Sequence, residues 1–310
     1  MEPASGKSAG NIASPSDRWV AQRSKVGFFI LCVAPAAVAA AWGFMPGLLA
    51  LISRNDTFAY VPLIPLTSLC LVYLKRKSIF SEFSNDWRTG GALVIMGSIC
   101  LAFVRSNTWQ YSLDNRPSVL MLGFVLVWMG AFALFFGQRS FREAAFPLLL
   151  LFFAIPIPDP PLSQITSTLQ QGSAKAAEGL FSLFGVPFLR NGLDFALPGI
   201  TIRVAEECSG IRSSLALLIT TTLASHFFLR SPWRRLVLCI AVVPLAILKN
   251  GLRIVVLSVL SIYVNPDFLR GRLHHEGGIV FFLIALVPLA VFLILLQKGE
   301  KPDPAVAKVV

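Results

Sequence analysis

The chain has 310 residues, of which 55% are hydrophobic and only 14% charged, and its net charge is +11. A soluble domain carries about 25% charged residues, and no polar stretch here is long enough for one, so composition excludes a soluble globular enzyme. The basic residues are scattered over separate short segments, which argues against nucleic acid as a partner and for the positive-inside bias of a membrane protein. The expected fold is an all-α, polytopic membrane helix bundle, with the lipid bilayer as its surroundings.

A helix crossing ~30 Å of hydrocarbon needs roughly 20 apolar residues. Residues 1–25 are rich in Ser, Ala, Gly and Pro and read as a disordered tail. The run 26–49 is too long and continuous for a cleavable signal peptide and reads as the first of about eight spans. The others are 58–74, 91–106, 118–136, 143–157, 211–229, 234–262 and 277–297. Together they make one integral membrane domain over 26–297, followed by a tail over 298–310. The longest irregular segment is 158–210. It opens with Pro156, Pro158, Pro160 and Pro161, which end a helix. An amphipathic helix is expected over 163–184, closed by Gly185-Val186-Pro187. Short β-like pieces then surround Asn191-Gly192 and Pro198-Gly199, a hairpin pattern.

Loop charge sets the orientation. Lys7, Arg18, Arg23, Lys25, Lys75, Arg76, Lys77, Arg88, Arg139, Arg142, Arg230, Arg234, Arg235, Lys298, Lys301 and Lys308 are sixteen of the 27 Lys and Arg residues. With eight crossings they all fall on one side. Both termini are then cytoplasmic, and 50–57, 106–117, 158–210 and 263–276 lie outside.

The outer side collects the reactive side chains. Of the five cysteines, Cys32, Cys70, Cys100 and Cys239 lie in apolar runs, where a thiol is ordinary packing. They form neither a disulfide framework nor a zinc spacing, and no metal or other cofactor is expected. Cys208 differs. It stands in Glu206-Glu207-Cys208-Ser209-Gly210-Ile211-Arg212, at the mouth of an apolar helix. The next helix carries Lys249, Asn250 and Arg253 among apolar residues. Arg253 lies about 28 Å along from Arg234 at 1.5 Å per residue, close to the outer boundary. An ionisable residue at such a position is a functional candidate by default. The final outer segment carries His274 and His275. Cations and a helix N-terminus favour a thiolate. A histidine can move the thiol proton to a leaving amine, and an arginine can stabilise an oxyanion. Gly210 permits close backbone approach.

These motifs give the chain its likeness. Glu207-Cys208-Ser209-Gly210-Ile211-Arg212, then Asn250-x-x-Arg253, then His274-x-x-x-Gly278-Ile279-Val280-Phe281-Phe282 resemble, in order, the motifs of the exosortase/archaeosortase family. Leu169-Gln170-Gln171, Gly185-Val186-Pro187 and Arg190-Asn191-Gly192 resemble the segment upstream of its cysteine. The likeness covers about residues 50–297. Two departures are plain: Glu207 stands where the family has a small residue, and Phe58-Ala59 where it commonly has Ser-His. The resemblance implies a cysteine protease or transpeptidase of the bacterial inner membrane, with Cys208, Arg253 and His274 catalytic on the periplasmic face. Its partners would be secreted proteins with a C-terminal sorting signal, made of a Pro-rich motif, a transmembrane helix and a basic tail, in systems tied to exopolysaccharide production. His275 shares the histidine position with His274. Arg212, Asn250 and His275 are candidate substrate-binding residues.

Three rivals compete. Glu206-Glu207 followed by an arginine suggests a glutamate-dependent intramembrane protease of the CAAX-processing type, but four residues rather than three separate Glu207 from Arg212. A polytopic transporter would use the polar helix residues to line a pathway. A polysaccharide-assembly protein without protease activity would need none of these groups.

Overall fold

A computed structural model describes residues 56–81, 87–105, 115–205, 209–265 and 278–300, together with Gly27 and Phe268. The expected first span, 26–49, lies outside these residues apart from Gly27. The chain divides into two compact units, 1–156 and 157–310.

In the first unit, a 3-10 turn at Asp56–Phe58 leads into α1 (Leu63–Leu74) and the single turn α2 (Arg76–Ile79). Next come α3 (Trp87–Arg105), α4 (Arg116–Glu143) and α5 (Ala145–Leu150), the last running into a 3-10 turn at Leu151–Ala154. The backbone of α4 breaks at Gly137, with φ 82°, a conformation that glycine tolerates and other L-residues resist. The break falls one residue beyond the expected helix end at 136. Glycines spaced by seven residues, about two helical turns, bring α3 and α4 together. A Cβ on Gly97 would lie 2.7 Å from the Gly123 carbonyl oxygen, and one on Gly130 would lie 2.8 Å from the Gly90 carbonyl oxygen. Small residues at such contacts are how helices pack where lipid removes the hydrophobic drive between them. The core of this unit joins Ile79, Val125, Met129, Phe132, Phe136 and Leu148, with Phe80 edge-on to Phe136 at 4.9 Å between ring centroids.

The second unit begins with α6 (Asp159–Leu183). The helix starts four residues earlier than the expected 163. Pro160 and Pro161 sit in its first turn, where a missing backbone N–H leaves no bond unmade. The expected hairpin is instead a three-stranded antiparallel sheet in the order β1 (Leu189–Asn191), β2 (Asp194–Leu197) and β3 (Ile200–Arg203). Its turns use Gly192 (φ 61°) and Gly199 (φ 78°). Asn191 pairs with Asp194, and Leu197 with Ile200. So the fold is helical with one small sheet. Then come α7 (Ile211–Phe228), α8 (Pro232–Tyr263) and α9 (Gly278–Lys298).

Four of the described helices are long and apolar enough to cross a membrane: α3, α4, α8 and α9, or five spans if Ala145–Ala154 and Asp159–Leu183 count as one broken crossing. The expectation was about eight. With 12 residues, α1 is short for a span. With 18 residues that include Arg212, His226 and the hydroxyls of Ser213, Ser214, Thr220, Thr221, Thr222 and Ser225, α7 is not among those four.

At their far end, α7, α8 and α9 are tied together. The Glu300 carboxylate accepts backbone N–H bonds from Arg230 and Ser231 at 2.9 Å. The Arg234 guanidinium donates to the carbonyls of Leu296 (2.8 Å) and Gly299. The Ser231 N–H, helped by that of Arg230 and by the Arg234 and Arg230 charges, holds the Glu300 carboxyl below the usual carboxylate range.

Candidate functional site

The site is built where α6, α7 and α8 meet. Along one face, α6 and α8 run in the same direction. A Cβ on Gly172 would lie 2.9 Å from Ile247, and one on Gly251 would lie 2.6 Å from the Ala176 Cβ. Further along, Ala177 and Phe181 share a core with Ile254 and Val255, and the sheet closes the same core with Phe195, Leu197 and Val204. The 172–181 stretch belongs to a segment expected wholly outside, yet it packs along a membrane-spanning candidate.

Within this apolar contact lies a short polar chain. The Asn250 side-chain amide donates to Ser173 Oγ at 3.0 Å. Asn250 and Ser173 are 1% and 0% exposed. One turn earlier on α6, buried Gln170 donates through Nε2 to the Val204 carbonyl, just beyond the end of β3. A buried amide without such partners would cost about 1–3 kcal/mol, so these bonds bring α6, α8 and the strand exit into one register.

Gly210 caps α7. Its φ is 77° and ψ 12°, the left-handed region, and a Cβ there would lie 2.8 Å from both Cγ and Oδ1 of Asn250. Any other residue would meet both backbone strain and a collision. The Gly210 carbonyl accepts from Ser214 N–H at 2.9 Å, Ser214 Oγ at 2.8 Å and Ser213 Oγ at 3.1 Å. The Ile211 N–H donates to Ser209 Oγ at 3.4 Å, and Ser209 is 1% exposed. Ser213 Oγ in turn accepts from the Lys249 ammonium.

Two antiparallel registers set heights along the bundle. Ser213 faces Lys249, while Thr222 Oγ1 and Cys239 Sγ touch at 3.8 Å. Gly210 lies against Asn250, so the mouth of α7 stands near the level of Asn250, about one turn before Arg253 on α8. On the other side Arg234 meets Leu296. Eighteen residues on from Arg234 is Leu252, and eighteen back from Leu296 is Gly278, so α9 begins at about the level of Leu252.

Of the residues singled out from sequence, Arg253 is half-buried and follows Asn250 by three positions on one face of α8. Asn250 is buried against Gly210 and Ser173, a structural position that leaves it little surface for substrate. Arg212 is exposed in the first turn of α7. Glu206, Glu207, Cys208, His274 and His275 lie outside the described residues. Sequence reading quoted Gln170 only within a motif, without a role, and missed Ser173 and Ser213. The signal for the first two was a polar pair three residues apart on the face of α6 that also carries Ala174 and Ala177. Among the described residues no group of three or more His, Cys, Asp or Glu could hold a metal ion.

The fold and this cluster define a helical membrane protein with a polar seam buried between its helices at the mouth of α7. The transmembrane exosortase family model matches residues 52–291. That is 240 of the 310 residues, and the chain belongs to this family. No curated protein and no solved structure matches it.

Proposed function

We propose that the protein is a membrane-embedded cysteine protease or transpeptidase that removes a C-terminal sorting signal from secreted proteins. Family membership makes a sorting transpeptidase the first hypothesis. The observation that carries the finer reading is the double register around Arg253. Arg253 lies about one turn beyond Asn250, which packs on Gly210 at the mouth of α7, and near the level where α9 begins, four residues after His274. Cys208 precedes Gly210 by two residues and His274 precedes Gly278 by four, which supports a reading in which both work with Arg253.

The chemistry follows from these three groups. The Cys208 thiolate attacks the scissile carbonyl carbon near the periplasmic face. The carbonyl oxygen takes the displaced electron pair, and the Arg253 guanidinium stabilises that oxyanion. His274 gives a proton to the leaving nitrogen. The C–N bond breaks, the basic-tailed fragment departs and a thioester remains on Cys208. Water or an acceptor nucleophile then gives a proton to His274 and attacks the thioester carbon, and the C–S bond breaks to restore the thiolate. The site faces the periplasm in an inner membrane, with both termini cytoplasmic, as the loop charges suggest. The link to exopolysaccharide export belongs to the same reading.

The test scores shortening of a tailed substrate in membranes. Cys208→Ala is expected to abolish it. Arg253→Ala is expected to slow it about 10²–10³-fold, as loss of an oxyanion donor does. His274→Ala is expected to cost more than His275→Ala. Normal processing by Cys208→Ala overturns the reading, and labelling of Cys208 by impermeant thiol reagents only from the cytoplasm overturns the orientation.

A further inference from the structure

Lys249 has no role in the chemistry above, and its position is costly. It lies fifteen residues beyond Arg234, about 22 Å along α8 at 1.5 Å per residue, short of the outer edge of a ~30 Å hydrocarbon layer. A lysine in such a place costs roughly 2.5–3.5 kcal/mol on insertion scales. One that merely snorkels would lie on the outside of the bundle and reach for the interface. Lys249 does the opposite: it is 4% exposed, and its ammonium donates inward to Ser213 Oγ. Ser213 passes the contact on, donating to the Gly210 carbonyl at 3.1 Å. Gly210 is two residues after Cys208.

The neighbouring charges sharpen the point. Arg253 is four residues on, on the same face of α8, and like charges at that spacing destabilise a helix. The other charged or titratable residues on α6 and α7, which pack against α8, are Asp159, Lys175 and Glu178 on α6 and Arg212 and His226 on α7; Asp159 and His226 stand at the helix ends remote from Lys249. Glu178 is paired with Arg190. Between Gly278 and Gln297, α9 carries no charged residue. Glu206 and Glu207 lie outside the described residues. Two cations one turn apart in a buried seam are tolerable when an anion forms near both.

We propose that Lys249 is a second cation of the site, a positioning residue that holds the Gly210 carbonyl through Ser213 and lends its charge to the Cys208 thiolate. The inference rests on the reading of Cys208 as the nucleophile. Glu206 and Glu207 adjoin Cys208 in sequence and oppose a thiolate, so a second cation would offset them. An arginine at 249 would keep the charge, and an apolar residue would not.

The experiment uses the full chain in detergent micelles. It follows the rate at which iodoacetamide alkylates Cys208 against pH, read by mass spectrometry on the peptide that carries it. Lys249→Met is expected to move the midpoint of the pH profile up by about one unit, which slows alkylation about tenfold near pH 7. Lys249→Arg is expected to restore most of the rate, and Ser213→Ala to give an intermediate profile. Lys298→Met, at the far end of α9, is expected to leave the profile in place. Superimposable profiles for the parent and a monodisperse Lys249→Met protein overturn the proposal. If Lys249→Met does not fold, Ser213→Ala decides, and an unshifted profile there overturns it. The nucleophile reading fails on a different assay: a Cys208→Ala variant that still shortens substrate refutes it, whatever Lys249 does to alkylation.

Discussion

The two units differ in how far polar contacts enter their helix packing: in the first, buried Ser68 Oγ donates to the Pro147 carbonyl at 2.7 Å, whereas the second has a whole seam. In residues 1–156, α3 and α4 touch through Gly90, Gly97, Gly123 and Gly130, and the core is made of Phe, Met, Val, Leu and Ile. In residues 157–310, the closest helix contact also uses glycine, at Gly172 and Gly251, but a polar seam runs through it. Gln170, Ser173, Ser209, Lys249 and Asn250 are all buried there. Dispersion and shape suffice to pack two helices in lipid. Polar contacts are added where a particular chain segment must be held at one height, here the segment that enters α7. The contrast predicts that damage to the first unit lowers the amount of folded protein, whereas damage to the seam alters what each folded molecule can do.

The largest effect is expected at Gly210. Gly210→Ala combines a left-handed backbone, about 1–2 kcal/mol for a non-glycine residue, with overpacking against Asn250, typically about 1–3 kcal/mol. Substrate shortening per folded molecule should fall at least tenfold. Adding Asn250→Ala removes the collision, so the double variant should recover part of the loss. A strictly additive double variant, measured by a double-mutant cycle, would break the idea that these two side chains meet.

Next in size is Gly97→Val, which places a branched side chain against the Gly123 carbonyl. It should cost about 1–3 kcal/mol of stability, seen as a lower thermal midpoint and lower yield. Processing by the surviving folded protein should match the parent. A changed pH profile in this variant would erase the distinction between the units.

Smaller still is Ser173→Ala. It removes the acceptor of the Asn250 amide and should cost about 1 kcal/mol, with slowed processing but no change in expression. The smallest effect belongs to Glu300→Gln at the far tie. The carboxyl of Glu300 is held below its ordinary range in the folded chain. Its contribution is therefore present above the unfolded value of about 4.3 and is lost as pH falls through the lower folded value. The thermal midpoints of parent and Glu300→Gln should differ at neutral pH and converge as the solution is acidified.

Much of this was legible in the sequence, and the reasons differ by element. The helix expected over 118–136 is observed with its break at Gly137, because hydropathy and a helix-breaking glycine are local signals. The proline cluster before α6 misled. Pro160 and Pro161 read as a stop, yet at the first turn of a helix the same ring is compatible with a start. Asn250 and Arg253 stood out because polar residues in apolar helices are rare. The partners of this helix did not stand out. Ser173 lies 77 residues from Asn250, and Ser213 lies 36 from Lys249. No local pattern names a serine that distant. The special backbone of Gly210 was foreshadowed by its type; that Asn250 fills the space where its side chain would be was not.

The tie at Arg234 and Glu300 has a consequence for how this chain can change over time. It pins the zero point from which heights on α7, α8 and α9 are counted. One residue inserted in α8 between Arg234 and Lys249 would leave its hydropathy almost untouched. Yet it would turn everything beyond by about 100° and lift it about 1.5 Å. Asn250 and Arg253 would then turn together away from Gly210 and Ser173. Substitution of one apolar residue for another is cheap in such a helix, whereas a change of length is not. What this helix must conserve is phase.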